Sequence, residues 1–276
     1  MQYRELLLSA TAELQNCDVD SPELNAELLL RKVANLSSIS LRLNQAVEVT
    51  ADIIDAYNAL VAERCKYVPL QYLLATIPFH NIELKVTNAA LIPRPETEQL
   101  VDIIINSETK ARHILDLCTG GGCIALALAK YYPSANVVGI DISKDAIELA
   151  NENTKRLNIK NVRFIQQNIA DYSQNTKNEL IVCNPPYISQ SDYAKLEPEL
   201  YFEPKIALTD GNDGLTYYRT ISQKIMDWLS DSGKLYFECG INQANEICEI
   251  YNSIGYKANV IKDFAGIDRF VCIRQN

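Results

Sequence analysis

The stretch DLCTGGGC, residues 116–123, lies between an apolar run and a segment with helical periodicity. A glycine-rich turn that follows a strand and opens a helix is typical of nucleotide-type cofactor loops on α/β sheets. The usual pattern is acid-x-Gly-x-Gly-x-Gly, and here Cys118 stands at the first glycine position. The stretch therefore raises two questions: whether it holds a cofactor, and which backbone conformation residue 118 adopts.

Strand and helix patterns alternate along the chain after residue 94. Apolar runs predict strands at 113–117, 136–141, 161–167, 179–184 and 234–240. Helical patterns occur in CIALALAKYY, KDAIELANENTKRL, LTYYRTISQKIMDWL (215–229) and NQANEICEIYNSI. The alternation predicts a mostly parallel sheet with helices on both faces, and YKANVIKD and DRFVCIR predict a final antiparallel pair. Ligands of such sheets bind beyond the carboxyl ends of the strands.

The chain divides into three predicted segments. Residues 1–75 carry apolar residues at helical spacing, which predicts a small N-terminal helical bundle. Residues 76–93 show alternation in IELKV between turn-like residues, which predicts a β-hairpin linker. Residues 94–276 form the predicted α/β domain.

Composition limits the class of protein. The chain has 276 residues, 47% hydrophobic and 22% charged, and should bury a substantial core. Its net charge of −9 argues against broad electrostatic contact with DNA or RNA. The N-terminus lacks a signal-peptide pattern, and no apolar run reaches about 18 residues. We therefore expect a cytoplasmic protein that contacts neither nucleic acid nor membrane.

The eight cysteines are scattered, without a C-x-x-C pair, and only two histidines are present. Zinc sites usually combine closely spaced cysteines and histidines, so we expect no metal. Free thiols in a reducing cytosol are the expectation for all eight cysteines.

The glycine loop and the strand after it predict a cofactor site. Gly120 and Gly122 let backbone approach a ligand, and the N–H groups of the next helix favour an anionic group such as a carboxylate. Asp116 could accept a hydrogen bond from a ligand ammonium. Asp141, about 20 residues beyond the loop, is placed to bind ribose hydroxyls. The plain alternatives are a strand–turn–helix junction and an N-capping aspartate, although Ser143 could provide that cap.

A ribose-binding acid without the phosphate-binding G-x-G-x-x-G pattern points away from NAD. It points to S-adenosylmethionine (SAM), which carries an ammonium, a carboxylate and a ribose but no phosphate. After the third strand, Asn168 could bond adenine and Ile169 could pack on its face, although each could equally be an ordinary loop residue. The predicted SAM-binding residues are Asp116, Cys118, Thr119, Gly120, Gly121, Gly122, Asp141, Ile142, Asn168, Ile169 and Asn184. Because Cys118 carries a Cβ, we expect a negative φ there.

The segment Asn184-Pro185-Pro186-Tyr187 follows the apolar run ELIVC. Its prolines stiffen the loop and remove backbone donors. The Asn184 side-chain oxygen and the Pro185 carbonyl can then both accept from one NH2 group, while Tyr187 offers a face for stacking. We predict that these four residues bind a planar nitrogen substrate and that Asn184, Pro185 and Tyr187 are catalytic. The alternative is a proline-rich loop without a ligand.

Asn-Pro-Pro-Tyr after a SAM-binding half resembles the amino-methyltransferases, which act on adenine N6, guanine N2 or glutamine N5. The segments PLQYLLATIPFHNIELKV and LIPRPETEQLV narrow the resemblance to the peptide-chain release factor glutamine N5-methyltransferases, the HemK/PrmC family. EPKIALTDGNDGLTYYR and DFAGIDRFV are similar to the C-terminal half of that family. The resemblance is weakest over residues 1–65.

The resemblance implies a class I SAM-dependent methyltransferase fold: a Rossmann-like, mostly parallel seven-stranded sheet with an antiparallel C-terminal strand, plus the helical bundle and hairpin. It implies methyl transfer from SAM, leaving S-adenosylhomocysteine, to the glutamine of the Gly-Gly-Gln loop in class-1 release factors. The N-terminal domain would help to bind that protein, and we expect a monomer.

Three alternatives stay open at this point. A paralogue methylates a glutamine of ribosomal protein L3, and its glycine loop often reads LCTG, as here, whereas the RPETE segment favours the release-factor branch. A nucleic-acid amino-methyltransferase is disfavoured by the acidic charge. A SAM-binding scaffold without activity would not need an intact NPPY.

Overall fold

The computed structural model describes residues 1–108 and 110–276. The chain divides into two compact units. The smaller, helical unit comprises Met1–Thr76 and Glu197–Phe202, and the larger unit comprises Ile77–Leu196 and Glu203–Asn276. Most of the segment predicted as a linker thus belongs to the larger unit.

Helices and strands alternate through the larger unit, as the sequence pattern indicates. The helices are α1 (Tyr3–Asn16), α2 (Pro22–Ala34), α3 (Ser38–Leu43), α4 (Ala51–Arg64), α5 (Leu70–Leu74), α6 (Pro95–Ser107), α7 (Cys123–Tyr131), α8 (Lys144–Leu157), α9 (Gln190–Tyr193), α10 (Lys205–Leu208), α11 (Thr216–Ser222), α12 (Ile225–Trp228) and α13 (Ala244–Ser253). The strands are β1 (Thr76–Phe79), β2 (Ile82–Lys85), β3 (His113–Leu117), β4 (Asn136–Asp141), β5 (Val162–Gln166), β6 (Asn178–Cys183), β7 (Leu229–Glu238), β8 (Tyr256–Lys262) and β9 (Asp268–Gln275). Two short 3-10 helices span Ile169–Asp171 and Pro198–Phe202.

The main sheet has seven strands in the order β5-β4-β3-β6-β7-β9-β8. β3 through β7 pair in parallel, whereas β9 is antiparallel to both of its neighbours. This topology confirms the predicted class I SAM-dependent methyltransferase fold and its antiparallel C-terminal strand. β1 and β2 form the predicted hairpin as a separate two-stranded sheet.

Residues on the strands alternate between the two faces of the sheet, because successive side chains of a strand point in opposite directions. On β6, Ile181 and Cys183 belong to the core with α11, α12 and α13, whereas Leu180 and Val182 belong to the core with α6 and α7. Both faces of the strand are buried, which explains its uninterrupted apolar sequence.

The helical unit has a core of its own, in which Leu14, Leu29, Leu30 and Tyr57 are fully buried. The Tyr57 hydroxyl donates to the carbonyl of Ala26 at 3.0 Å, joining α4 to α2. Among the described residues, no helix combines the length and the apolar character needed to cross a bilayer.

Two expectations about the helices and the thiols are wrong. The stretch 215–229 is two helices rather than one, because the Lys224 N–H bonds to the Ile221 carbonyl three residues back and tightens the chain into a turn. Cys17 and Cys65 form a disulfide at the ends of α1 and α4, so these two thiols are not free. Their sequence separation of 48 residues carries no local signal of the pairing.

Candidate active site

The strand register brings the predicted site residues to one edge of the sheet. Leu117, the last residue of β3, is opposite Ile140 of β4 and Cys183 of β6. The glycine loop, Asp141 and Asn184 follow these positions directly. The carboxyl ends of three adjacent parallel strands therefore meet at one crevice, where sheets of this type bind ligands.

A cavity opens at this crevice and is lined by most of the predicted residues. Those residues are Cys118, Thr119, Gly120, Gly121, Asp141, Ile142, Asn168, Ile169, Asn184 and Pro186. Four predicted residues are not on its wall: Asp116, Gly122, Pro185 and Tyr187. The cavity thus brings together residues from four separate strand ends, and the other four residues lie beside these along the chain.

Asp116 is fully buried beneath the glycine loop. Its Oδ2 accepts from the Thr119 hydroxyl at 2.5 Å and from the Ala125 N–H at 3.1 Å. Among the residues that the structure describes, none hydrogen-bonds Oδ1. Burial is the largest of the effects that together raise the pKa of this carboxyl to about 7; nearby Asp141 acts in the same direction, and the bonds from Thr119 and Ala125 oppose them. A buried oxygen without a partner fits the predicted acceptor for a ligand ammonium.

Asp141 lines the cavity and bonds the backbone on both sides of it in sequence, in the glycine loop and at the start of α8. Its Oδ2 accepts from the Gly120 N–H at 2.8 Å, and its Oδ1 accepts from the Ser143 N–H at 2.9 Å. Burial raises its pKa, while these backbone bonds act in the opposite direction. Ser143 itself caps α8, with its hydroxyl accepting from the Ala146 N–H. Asp141 is therefore not the N-cap, and each carboxylate oxygen has a second lone pair for a diol.

The backbone of the glycine loop differs from the expectation at Cys118. The φ of Cys118 is +57°, in the left-handed region, so the predicted negative φ is wrong. Gly120 and Gly122 also have positive φ, +55° and +86°. The cysteine adopts a conformation that glycine adopts freely but that costs about 1–2 kcal/mol for a residue with a Cβ. Its side chain packs against the core beside Tyr217 and Cys183, and this contact offsets part of the cost.

Asn168 and Ile169 line the cavity beyond β5. The Asn168 side-chain oxygen accepts from the Ala170 N–H at 3.0 Å, which caps a 3-10 helix. Its amide nitrogen is therefore the group that would donate to a base. Ile169 is buried and forms an apolar patch of wall beside it.

The NPPY segment is held by residues that were not predicted. Asn184 Nδ2 donates to the Thr97 hydroxyl at 3.1 Å, and the Thr97 hydroxyl donates to Glu238 Oε2 at 2.7 Å. Glu238 Oε1 accepts from the Tyr187 hydroxyl at 3.4 Å. The Tyr187 carbonyl accepts from the Gln243 amide at 2.9 Å. Asn184 and Tyr187 are thus both tied to one buried carboxylate.

A second wall of the cavity was also missed. Its residues are Ala89, Ala90, Leu91, Pro93, Ile206, Ala207 and Tyr217. Glu203, itself buried, accepts from the Ile92 N–H at 2.8 Å and pairs with Arg94, which fixes the 89–93 part of this wall. The sequence carries a signal for five of them, because Leu91, Pro93, Ile206, Ala207 and Tyr217 lie in the LIPRPETE, EPKIAL and GLTYYR segments, whereas Ala89 and Ala90 precede these segments. Among the described residues, no cluster of His, Cys, Asp and Glu could hold a metal ion.

Comparison with known proteins agrees with this geometry. The PrmC N-terminal domain family matches residues 5–74, and a methyltransferase domain family matches residues 108–237. A release factor glutamine methyltransferase of Vibrio cholerae is 39% identical over 268 residues, 95% of this chain and 93% of the relative. The chain belongs to the release factor glutamine methyltransferase family. A member from Thermodesulfovibrio yellowstonii is also 39% identical, over 83% of this chain and 84% of its own length.

Solved structures share the fold of the larger unit. A methyltransferase from Pyrococcus furiosus superposes with a TM-score of 0.52 at 19% identity, covering 69% of this chain and 86% of its own. At this identity the likeness concerns the fold alone. The family assignment therefore rests on the relatives of higher identity.

The positive φ at Cys118 leads to a prediction for two variants. Cys118→Gly should leave SAM affinity within about threefold of wild type, since glycine adopts this φ freely. Gly120→Val should abolish SAM binding, because a β-branched residue at φ +55° distorts the loop that Asp141 holds. Isothermal titration calorimetry measures both. Full SAM affinity in Gly120→Val would contradict this role of the loop.

The raised pKa of Asp116 leads to a prediction for how the stability of the protein depends on pH. Its folded pKa of about 7 lies above the ordinary value of 3.8, so the folded state binds a proton that the unfolded state has lost. The stability contributed by this group is present at low pH and is lost as pH rises toward 7. Asp116→Asn removes this loss. Its melting temperature relative to wild type should rise by roughly 5–10 °C between pH 5 and pH 8.

Differential scanning calorimetry at several pH values tests this prediction. The asparagine amide leaves a buried donor without a partner, but that cost is the same at every pH. The slope of the difference with pH is therefore the readout. A difference that stays constant from pH 5 to pH 8 would show that Asp116 is already ionised in the folded protein at low pH.

Proposed function

We propose that this enzyme transfers the methyl group of SAM to the side-chain amide nitrogen of the glutamine in the Gly-Gly-Gln loop of class-1 peptide chain release factors. The observation that carries this proposal is the orientation of the Asn184 side-chain amide. Its Nδ2 is engaged by Thr97, so its Oδ1 is the group left to accept from a substrate NH2. Asn184 also lines the cavity that the glycine loop and Asp141 share.

The residues of the cavity fit SAM. Asp116 Oδ1 would accept from the ammonium, Asp141 would hold the ribose hydroxyls, and the N-terminus of α7 would face the carboxylate. Asn168 and Ile169 would hold the adenine, the first by a hydrogen bond and the second by packing. When bound, SAM supplies an electrophilic methyl group on a sulfonium.

The protein's own contribution is to position the nucleophile. An amide nitrogen is weakly nucleophilic, because its lone pair is delocalised into the carbonyl. We propose that Asn184 Oδ1 and the Pro185 carbonyl accept from the glutamine NH2 and turn its lone pair toward the methyl group. Their oxygens stabilise the positive charge that develops on nitrogen, while Tyr187 and Pro186 hold the amide plane. The proton can leave after methylation, so no strong base is required.

The site of action and the assembly state are also proposed. A release factor is a translation factor, which supports a cytoplasmic location. The helical unit has its own core and matches the PrmC N-terminal domain, which supports a role in binding the release factor. We propose a monomeric enzyme that binds neither nucleic acid nor membrane, consistent with its charge of −9.

A substrate assay tests the proposed function. Purified enzyme is incubated with SAM labelled in the methyl group and, separately, with release factor, ribosomal protein L3, DNA and RNA. Label should enter the release factor alone, at the loop glutamine, and a release factor with that glutamine changed to asparagine is the matched control. Label in L3 alone would assign the enzyme to the paralogous branch, and label in nucleic acid alone would refute protein methylation.

Asn184→Ala separates substrate positioning from cofactor binding. The variant should retain SAM affinity within about threefold while kcat falls by about 100-fold or more, because it loses an acceptor that acts on the developing charge. Calorimetry with SAM and single-turnover methylation provide the two measurements. Parallel loss of both would show that Asn184 acts mainly on the cofactor.

A further inference from the structure

Three hydrogen bonds behind the cavity wall form a continuous chain. They run from Asn184 to Thr97 to Glu238, and from Tyr187 to the same Glu238. Glu238 is the last residue of β7, one position beyond the Phe237 that is in register with Cys183. Glu238 and Asn184 are therefore the next residues along two adjacent parallel strands, and Thr97 of α6 joins them.

While Glu238 is ionised, the hydrogen bonds from Asn184 through Thr97 to Glu238 can be donated in one direction only. A carboxylate can accept but cannot donate, so the single hydrogen of the Thr97 hydroxyl must point to Glu238. The Thr97 oxygen is then an acceptor for Asn184, and only the Nδ2 end of the Asn184 amide can supply a donor. The Oδ1 end is therefore turned to the cavity.

We infer that Glu238 is a positioning residue that sets, through Thr97, which end of the Asn184 amide faces the substrate. This inference rests on the proposed function, since it requires the Asn184 oxygen to accept a hydrogen bond from the substrate glutamine. Glu238 is 1% exposed and is not on the cavity wall, so it acts only through Thr97 and Tyr187. The same carboxylate orients Tyr187, and both ends of the NPPY segment depend on it.

The environment of Glu238 makes this polarity sensitive to protonation. Its pKa is raised to about 7, mainly by burial and also by Glu96, against the opposing effects of the bonds from Thr97 and Tyr187 and of the charge of Arg269. The charged and titratable groups facing it are Arg269, Glu96, Tyr187, Tyr218, Cys123 and Cys239. A protonated Glu238 carries a hydrogen of its own and can donate to Thr97. Thr97 would then donate to Asn184, and the amide would present its NH2 end to a substrate that also needs an acceptor.

The first test compares two substitutions at Thr97. Thr97→Val has the same shape without the hydroxyl, and Thr97→Ser keeps the hydroxyl. With release factor and saturating SAM, Thr97→Val should lower kcat by about 10- to 100-fold, the effect of losing one orienting hydrogen bond near the reacting atoms. Thr97→Ser should restore most of it, and KM for SAM should change by less than about threefold in both. Equal kcat in the two variants would overturn the inference.

The second test uses the pH profile of kcat with Glu238→Gln. Wild-type kcat should fall as pH drops below about 7, because protonation reverses the direction of the chain. Saturating SAM removes the contribution of Asp116, which titrates in the same range and acts on SAM binding. Glutamine can accept from Thr97 and does not titrate, so the acidic limb should disappear in this variant. An unchanged acidic limb would contradict a role of Glu238 in it.

A readout without substrate separates this inference from the proposed function. The side-chain amide resonances of Asn184 can be followed by 15N NMR and assigned by their loss in Asn184→Asp. In the wild type they should shift with pH around neutrality, and the shift should be absent in Thr97→Val and Glu238→Gln. If they shift in this way but no glutamine is methylated, only the proposed function fails. If they are insensitive to pH and to both substitutions, the inference itself is wrong.

Discussion

The alignment of parallel strand ends is the constraint on which the rest of this protein depends. β4, β3, β6 and β7 are in register, so four loops emerge side by side at one edge of the sheet. The glycine loop, Asp141, the NPPY segment and Glu238 are found at the ends of those four strands. Their proximity is a property of backbone hydrogen bonding, and the apolar faces that bury the sheet keep that bonding intact. The residues at this edge are therefore positioned by the ends of regular strands, which hold side chains more precisely than long loops do.

The site also contains three carboxyl groups that are desolvated by burial. Asp116, Asp141 and Glu238 all have pKa values raised by desolvation; Asp141 lines the crevice, whereas Asp116 and Glu238 are not on its wall. Such groups destabilise the folded chain near neutral pH unless they are partnered, and here backbone N–H groups and hydroxyls partner them only in part. Perturbed carboxylates of this kind are typical of functional sites. A bound cationic sulfonium ligand would compensate much of this cost.

The sequence predicts correctly where Asp141 and Asn184 lie in the fold. Asp141 and Asn184 end apolar runs, and the rule that ligands bind at carboxyl ends of parallel strands places them together without further information. The sheet class follows from the alternation of elements for the same reason.

The helix predicted over 215–229 was wrong, because a turn at Lys224 depends on local backbone bonds that apolar spacing does not report. Thr97 and Glu238 were missed because they are 141 residues apart and contact each other only in the fold. The prediction of a negative φ at Cys118 is wrong because intrinsic preference does not report the tertiary contacts of the loop, in which Gly120 bonds Asp141 and Cys118 packs against the core.

The separation of the helical unit into two pieces of sequence has a consequence for the order of synthesis. Arg64, buried in this unit, bonds Asn25 and the Val68 carbonyl and pairs with Glu199 at 2.7 Å. A nascent chain that has reached only Thr76 lacks that carboxylate, and its guanidinium is left without a counter-ion. The helical unit therefore reaches its final stability only after most of the sheet has left the ribosome. The last step of its maturation therefore waits for the segment that follows β6, at a point when β7, β8 and β9 are still to be synthesised.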